Sequence, residues 1–156
     1  MEIQRVRDLI GQQRWAALAT QGDSGPIASQ VAYAIESDFS GFLLHLSRLA
    51  AHTRALLIHP AVSLSIAEPD DGREDPQTLA RATLFGQAAV LDSKNRDYPA
   101  ARQHYLERFP AAEQLFAFSD FYLIRVMIAK ARYVGGFGAA ITMDRATLRL
   151  STSKEH

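Results

Sequence analysis

Trp15-Ala16-Ala17-Leu18-Ala19-Thr20 and the apolar stretch 27–35 flank the pentapeptide Gly22-Asp23-Ser24-Gly25-Pro26, and this pattern sets the fold class. Glycine, aspartate, serine and proline supply the backbone angles of a tight turn, so the two apolar runs read as the arms of a β-hairpin. A third strand is expected over 41–46. Val62-Ser63-Leu64-Ser65-Ile66 alternates strictly, which sends one set of side chains to a core and the other to a more polar face. Two long strands complete the set, over 78–91 with Gly86 as a bulge, and over 121–134.

Helices sit around these strands. Ile3, Val6, Leu9 and Ile10 recur at helical spacing with Arg5, Arg7 and Asp8 opposite, so the chain opens with an amphipathic helix. A second helix is expected over 49–58, capped by Ser47 and stopped before Pro60, whose ring disfavours helix at the preceding residue. Further helices are expected over 97–108 and 111–116, separated at Pro110. With no alternating βαβ rhythm, the order predicts a mainly β fold with peripheral helices, closed as a six-stranded antiparallel barrel.

The 156 residues suit a single domain over 1–150 with a short tail over 151–156. Seventeen basic residues balance 17 acidic ones, so no global field favours nucleic acid or a membrane surface. The absence of cysteine removes disulfides, thiolate catalysis and zinc–thiolate sites, and fits a reducing compartment. Residues 1–13 lack the apolar core of a leader and no later run approaches a membrane span, so a soluble, cytoplasmic protein is expected.

Two segments carry the chemistry. In Tyr133-Val134-Gly135-Gly136-Phe137-Gly138-Ala139-Ala140, three glycines around one phenylalanine let the backbone approach a flat ligand closely. Leu46-Ser47-Arg48-Leu49-Ala50-Ala51-His52-Thr53-Arg54 opens a helix directly after a strand. A helix N-terminus offers unpaired N–H groups and a favourable dipole, Ser47 and Thr53 add hydroxyls, and Arg54 adds a guanidinium fork, which together suit a phosphate.

Other readings carry less weight. The glycine run lacks the Rossmann spacing and no Walker lysine is present. No serine occupies a nucleophile elbow. His45, His52, His59, His104 and His156 form no metal-ligand pattern, and the acidic residues between 68 and 76 read as a solvated loop. His45 is expected to be core-packed. Tyr98, Tyr105, Phe109, Phe116, Phe118, Phe121 and Tyr122 fit core or subunit packing better than a ligand box.

Taken in order, Trp15-Ala16-Ala17-Leu18-Ala19-Thr20, Pro26-Ile27-Ala28-Ser29-Gln30-Val31, the 46–54 segment with His59-Pro60, and Arg81-Ala82-Thr83-Leu84-Phe85-Gly86 resemble the FMN-binding split-barrel superfamily related to pyridoxamine 5′-phosphate oxidase. Tyr105-Leu106-Glu107-Arg108-Phe109-Pro110 and the glycine run resemble its HugZ-type haem-utilisation branch. The resemblance implies a six-stranded split barrel that dimerises with FMN at the subunit interface. It places Ser29, Gln30 and Val31 beside the isoalloxazine, Ser47, His52, Thr53 and Arg54 on the ribityl phosphate, Arg81 against the flavin, and Phe137 and Gly138 at the cofactor.

An FMN-dependent oxidoreductase of unknown substrate is therefore expected. A haem-binding or haem-degrading protein of the HugZ type and a non-catalytic flavin-binding module are the alternatives. The lone tryptophan, Trp15, disfavours vitamin B6 oxidation, and the lack of a C-terminal histidine-bearing loop leads to the expectation of weak or no haem binding. Charge-assisted phosphate contacts contribute about 1.5 to 3 kcal/mol, so Arg54→Ala should weaken FMN binding roughly tenfold or more. Quenching of flavin fluorescence measures it, and an unchanged affinity removes Arg54 from the site.

Overall fold

The computed structural model describes residues 2–136 and 138–150. Its strands are β1 (Trp15–Gly22), β2 (Gly25–Ala32), β3 (Ala34–Ile35), β4 (Gly41–Ser47), β5 (Ala61–Ala67), β6 (Arg81–Val90), β7 (Phe121–Val134) and β8 (Ala140–Asp144). The helices are α1 (Glu2–Gln12), α2 (Ala51–Ile58), α3 (Tyr98–Arg108) and α4 (Arg145–Arg149), with 3₁₀ segments at Pro76–Thr78 and Pro110–Ala117.

Alternation in the sequence becomes cross-strand rows. Leu18 pairs with Leu64, Leu64 with Leu84 and Leu84 with Ala131, and all four are fully buried. One residue along, Gln30 pairs with Ala17, Ala17 with Ser65, Ser65 with Thr83 and Thr83 with Arg132, forming a row on the opposite face. The period of two thus separates an apolar interior from an outer face of small and polar side chains.

The antiparallel sheet runs β2-β1-β5-β6-β7-β4-β3, with β8 added to β7. β7 is 14 residues long and holds β6 along one edge, while β4 and β8 share the other edge end to end. The terminal strand β2 curls round to approach β4 without a ladder between them. The sheet therefore closes into a barrel that is split. α1 covers one opening through Val6, Leu9 and Ile10, and the buried Tyr33 hydroxyl donates to the Ile10 carbonyl at 2.7 Å. α2 packs against β1 and touches β2 and β6. α3 and the Pro110–Ala117 segment instead cover the outside of β3, β4 and β7, where Ala34, Leu43, Leu91, Ala101, Tyr105 and Leu123 form a separate core.

The mainly β split barrel matches the expectation, but the strand count is eight rather than six. The expected strand over 27–35 is divided at Tyr33, whose N–H still bonds to the Arg14 carbonyl at 3.1 Å in the β1–β2 register, while Ala34 and Ile35 beyond it pair with β4 instead. β8 and α4 follow the glycine run and carry too little alternation to be read from sequence. The strand expected from residue 78 starts at Arg81, because Pro76–Thr78 forms a 3₁₀ turn capped by the Asp75 carboxylate. Ser47 does not cap α2. The N-cap is Ala50, and the Ser47 hydroxyl accepts from Leu49 N at 3.2 Å inside the preceding turn.

Gly86 is the bulge, with the β6–β7 register shifting between Phe85 and Gly86. A Cβ there would collide with the Met127 carbonyl and lie 2.8 Å from Val126 Cγ1. Gly86→Ala should accordingly lower stability by about 1 to 3 kcal/mol. Gly11 lies in α1 with no atom within 4 Å of its added Cβ, so Gly11→Ala should raise stability by roughly 0.5 to 1 kcal/mol. Urea melts of the two variants should therefore shift in opposite directions.

Candidate functional site

The entrance to α2 is built by a short turn out of β4. Ala50 offers no side-chain acceptor to the first helical amides. Thr53 is 0% exposed and its hydroxyl has no hydrogen-bond partner among the described residues. Leaving such a group unpaired is costly, so the arrangement suits a ligand or ordered water that completes it. His52 is half-buried, and burial lowers its pKa, which favours the neutral imidazole. Arg54 is exposed. The turn is held by Arg48, whose N–H donates to the Asp120 carbonyl at 2.7 Å and whose guanidinium lies 5.1 Å from the Tyr122 ring centroid. Ser47, His52, Thr53 and Arg54 thus lie along one turn and the first turn of α2, with Thr53 buried and Arg54 exposed.

The other expected residues lie elsewhere. Ser29 and Val31 share the inward face of β2, whereas Gln30 points to the outer face with Ala17. Arg81 also sits on that outer face at the start of β6, its Nη1 held by the carbonyls of Gln77 at 2.8 Å and Leu79 at 3.2 Å. Around them the outer face is floored by Ala17, Ala19, Ser63, Ser65 and Thr83, with Trp15 61% exposed at its margin. Open clefts among the described residues, such as those beside α3 and between α1 and the Pro76–Thr78 turn, are lined by other residues. Within one protomer the expected site is therefore divided between the α2 entrance and a flat sheet face.

The glycine run forms the β7–β8 hairpin turn. Gly135 N bonds to the Ala139 carbonyl at 3.0 Å, Gly138 N bonds to Gly135 O at 3.1 Å, and Gly138 has φ 78°. A Cβ at Gly136 would lie 2.8 Å from the Thr78 carbonyl. The close approach at Gly136 is thus to the protein's own backbone, whereas an added Cβ at Gly138 would meet no atom within 4 Å. Phe137 lies outside the described residues.

A third group of residues was read only as packing. His45 projects from β4 beside Leu43 and Ser47, on the face that α3 covers, rather than into the barrel interior. Its ring stacks on Phe116 at 3.8 Å between centroids and 6° between planes, with Phe121 at 5.2 Å and Tyr105 at 5.8 Å. Nδ1 is buried without a partner. Desolvation, reinforced by the nearby Arg102 charge, lowers the His45 pKa to about 4. The one histidine inside an otherwise apolar strand is the sequence signal that marks it. His104, by contrast, is bonded to the Ile35 carbonyl at 2.6 Å, and His59 is exposed.

Among the described residues no helix is long and apolar enough to cross a membrane, and no group of three or more acidic, histidine or cysteine residues is placed to hold a metal ion.

These elements define a split barrel of the FMN-binding superfamily. The chain belongs to the CREG beta-barrel family, whose model matches residues 3–147. It is 38% identical over 116 residues, 74% of its length, to the non-canonical heme oxygenase HOZ, chloroplastic, of Arabidopsis thaliana. The chain spans 33% of that relative's length. It also superposes on a heme binding protein from Mycobacterium smegmatis with a TM-score of 0.85 and 28% identity, covering 96% of this chain and 60% of the other. A protein related to general stress protein 26, of the pyridoxinephosphate oxidase family, from Clostridium acetobutylicum gives a TM-score of 0.67 at 14% identity, covering 94% and 96% of the two chains, and so shares the fold.

His45 couples stability to pH. Its folded pKa of about 4 lies below the ordinary 6.5, so the unfolded chain takes up the proton first, and stability is lost as pH falls from about 6.5 toward 4. Partial solvent screening reduces the effect to about 1 kcal/mol between pH 7 and 5. His45→Leu should lose correspondingly less stability than the wild type over that interval. Urea melts at the two pH values measure the difference.

Proposed function

We propose that this split barrel binds haem as a homodimer, and that haem utilisation outranks flavin chemistry as its function. The 38% identity to a protein named as a heme oxygenase carries the reading, since it extends over 74% of the chain. The likeness to the heme binding protein from Mycobacterium smegmatis supports it across 96% of the chain. The expectation of weak or no haem binding rested on the lack of a C-terminal histidine loop, and these likenesses outweigh it.

The side chains suit the ligand. Haem presents a flat apolar macrocycle, two carboxylates and an iron that accepts neutral imidazole. Small side chains floor the outer face near Gln30 and Arg81, and Arg54 and the α2 amides favour an anion. In the proposed dimer the α2 entrance of one protomer, with Ser47, His52, Thr53 and Arg54, meets the outer face of its partner. Gln30 and Arg81 then complete the pocket, with Gly138 at its margin, while Ser29 and Val31 hold β2 in place from within. When bound, haem supplies the redox chemistry; the protein orients it and excludes water. Residues 1–150 form the binding unit, in a cytoplasmic setting consistent with the absence of cysteine.

A second reading is FMN binding, as an oxidoreductase or as a non-catalytic flavin module. The unpaired Thr53 hydroxyl at an uncapped helix start favours it, because a ribityl phosphate would satisfy both.

Parallel titration of the purified protein with ferric haem and with FMN tests both. A saturable Soret band with stoichiometry of one per protomer or per dimer is expected, and quenching of FMN fluorescence without a Soret band reverses the ranking. Sedimentation should show twice the chain mass of 17.2 kDa. A species of the chain mass alone at micromolar concentration overturns the dimer.

A further inference from the structure

Charge is distributed unevenly over the sheet. The chain balances 17 basic against 17 acidic residues, yet β1, β2, β5, β6 and β7 contain no aspartate or glutamate. Their cations are Arg81, Arg125, Lys130 and Arg132. Arg125 is neutralised by Glu36 at 2.6 Å and Asp97 at 3.2 Å. The others gather at one end of the outer face, where Arg81 precedes Thr83 by two residues on β6, Arg132 pairs with Thr83, and Lys130 pairs with Phe85.

Neither Lys130 nor Arg132 has an ion-pair partner among the described residues. The cross-strand neighbours of Arg132, Thr83 and Thr142, are uncharged. Lys130 faces Asp144 across the β7–β8 ladder, but that carboxylate accepts from Thr147 N at 2.8 Å as the cap of α4. The ammonium lies instead 4.9 Å from the Phe85 ring centroid. Like charges on neighbouring strands repel one another, so this cluster disfavours the isolated fold and favours an anion.

The floor beside the cations is uncharged. Ala17 pairs with Ser65 and Ser65 with Thr83, while Ala19 pairs with Ser63 and Ser63 with Phe85, so two cross-strand rows lead from β1 to Arg132 and Lys130. Strands lie about 4.8 Å apart, which makes each row roughly 14 Å long, and the two cations, two residues apart on one face, stand about 7 Å from each other. Trp15, solvent-exposed, marks the β1 margin. A planar ligand with acids along one edge matches such a plate.

We propose that Arg132 and Lys130 hold the carboxylates of a porphyrin whose macrocycle lies over Ala17, Ser63, Ser65 and Thr83, with its acidic edge toward β7. The inference rests on the haem reading above and assigns the orientation of the ligand within it. The Arg132 guanidinium takes one carboxylate through two parallel N–H donors, and the Lys130 ammonium takes the other as a point charge. In the proposed dimer the α2 entrance of the partner covers the plate, and exclusion of water strengthens these contacts beyond those of an exposed ion pair. Iron plays no part in this recognition, so a metal-free porphyrin is held in the same way.

The test titrates wild type, Arg132→Gln, Arg132→Lys, Lys130→Gln and Arg54→Gln with metal-free protoporphyrin IX and with its dimethyl ester, both added from dimethyl sulfoxide. Affinity for protoporphyrin IX should fall about tenfold in Arg132→Gln and about threefold or more in Lys130→Gln, while Arg132→Lys keeps most of it. The ester lacks the charges and should bind wild type and both of these glutamine variants alike, within about twofold. Circular dichroism and sedimentation should show the variants folded and in the same oligomeric state as wild type. Unchanged affinity for the acid in Arg132→Gln and Lys130→Gln overturns the assignment, as does an equal loss for acid and ester. Dissociation of the dimer in Arg132→Gln, or an acid-specific loss confined to Arg54→Gln, also overturns it, by placing the cation in a subunit contact or the carboxylates at α2. Porphyrin binding by the wild type survives each of these results. Failure of the wild type to bind both protoporphyrin IX and ferric haem overturns the haem reading and the assignment together.

Discussion

The pairing of β7 is the constraint on which the rest of the structure depends. One 14-residue strand carries β6 on one side and both β4 and β8 on the other, so it joins the β2-β1-β5-β6 half of the sheet to β4 and β3. Ile124, Val126, Ile128 and Ala131 along it are all fully buried. Because side chains alternate with a period of two, a slip of one residue in β7 would turn this row outward. The bulge at Gly86 localises the one irregularity, since the Met127 carbonyl leaves no space there for a side chain.

Electrostatics reinforce that frame at its margins. Arg125 on β7 joins Glu36 at 2.6 Å and Asp97 at 3.2 Å, linking the β3–β4 loop to the start of α3. The Glu36 partner is the more enclosed of the two, so this contact is less exposed to salt than the Arg149–Asp38 pair on the surface. Arg7 stacks over Phe39 at 4.3 Å, at the non-glycine residue with φ 58°. Three elements distant in sequence thereby hold one strained loop closed.

The candidate site uses what the barrel leaves unsatisfied. Two buried threonine hydroxyls, on Thr20 and Thr53, and one histidine nitrogen, on the α3-covered face, lack partners among the described residues. In an interior dominated by Leu, Ile and Val, such groups are informative because a hydrophobic residue would stabilise the fold more. They lie on β1, α2 and β4 respectively.

Strand alternation, the Gly86 bulge, the α1 stripe and the clustering of Ser47, His52, Thr53 and Arg54 at one helix entrance were all determined by the sequence, because each depends on spacing within a few residues. The division of Gln30 and Arg81 from that cluster was decided by the tertiary structure, since it depends on which face of the curled sheet each strand presents. So was the close contact of Gly136 with the carbonyl of Thr78, a residue far away in the sequence. His45 shows the same limit. Its position in an apolar strand was legible, but its stacking under Phe116 arises only when α3 and the 3₁₀ helix fold back over β4, bringing together rings that local spacing could not relate.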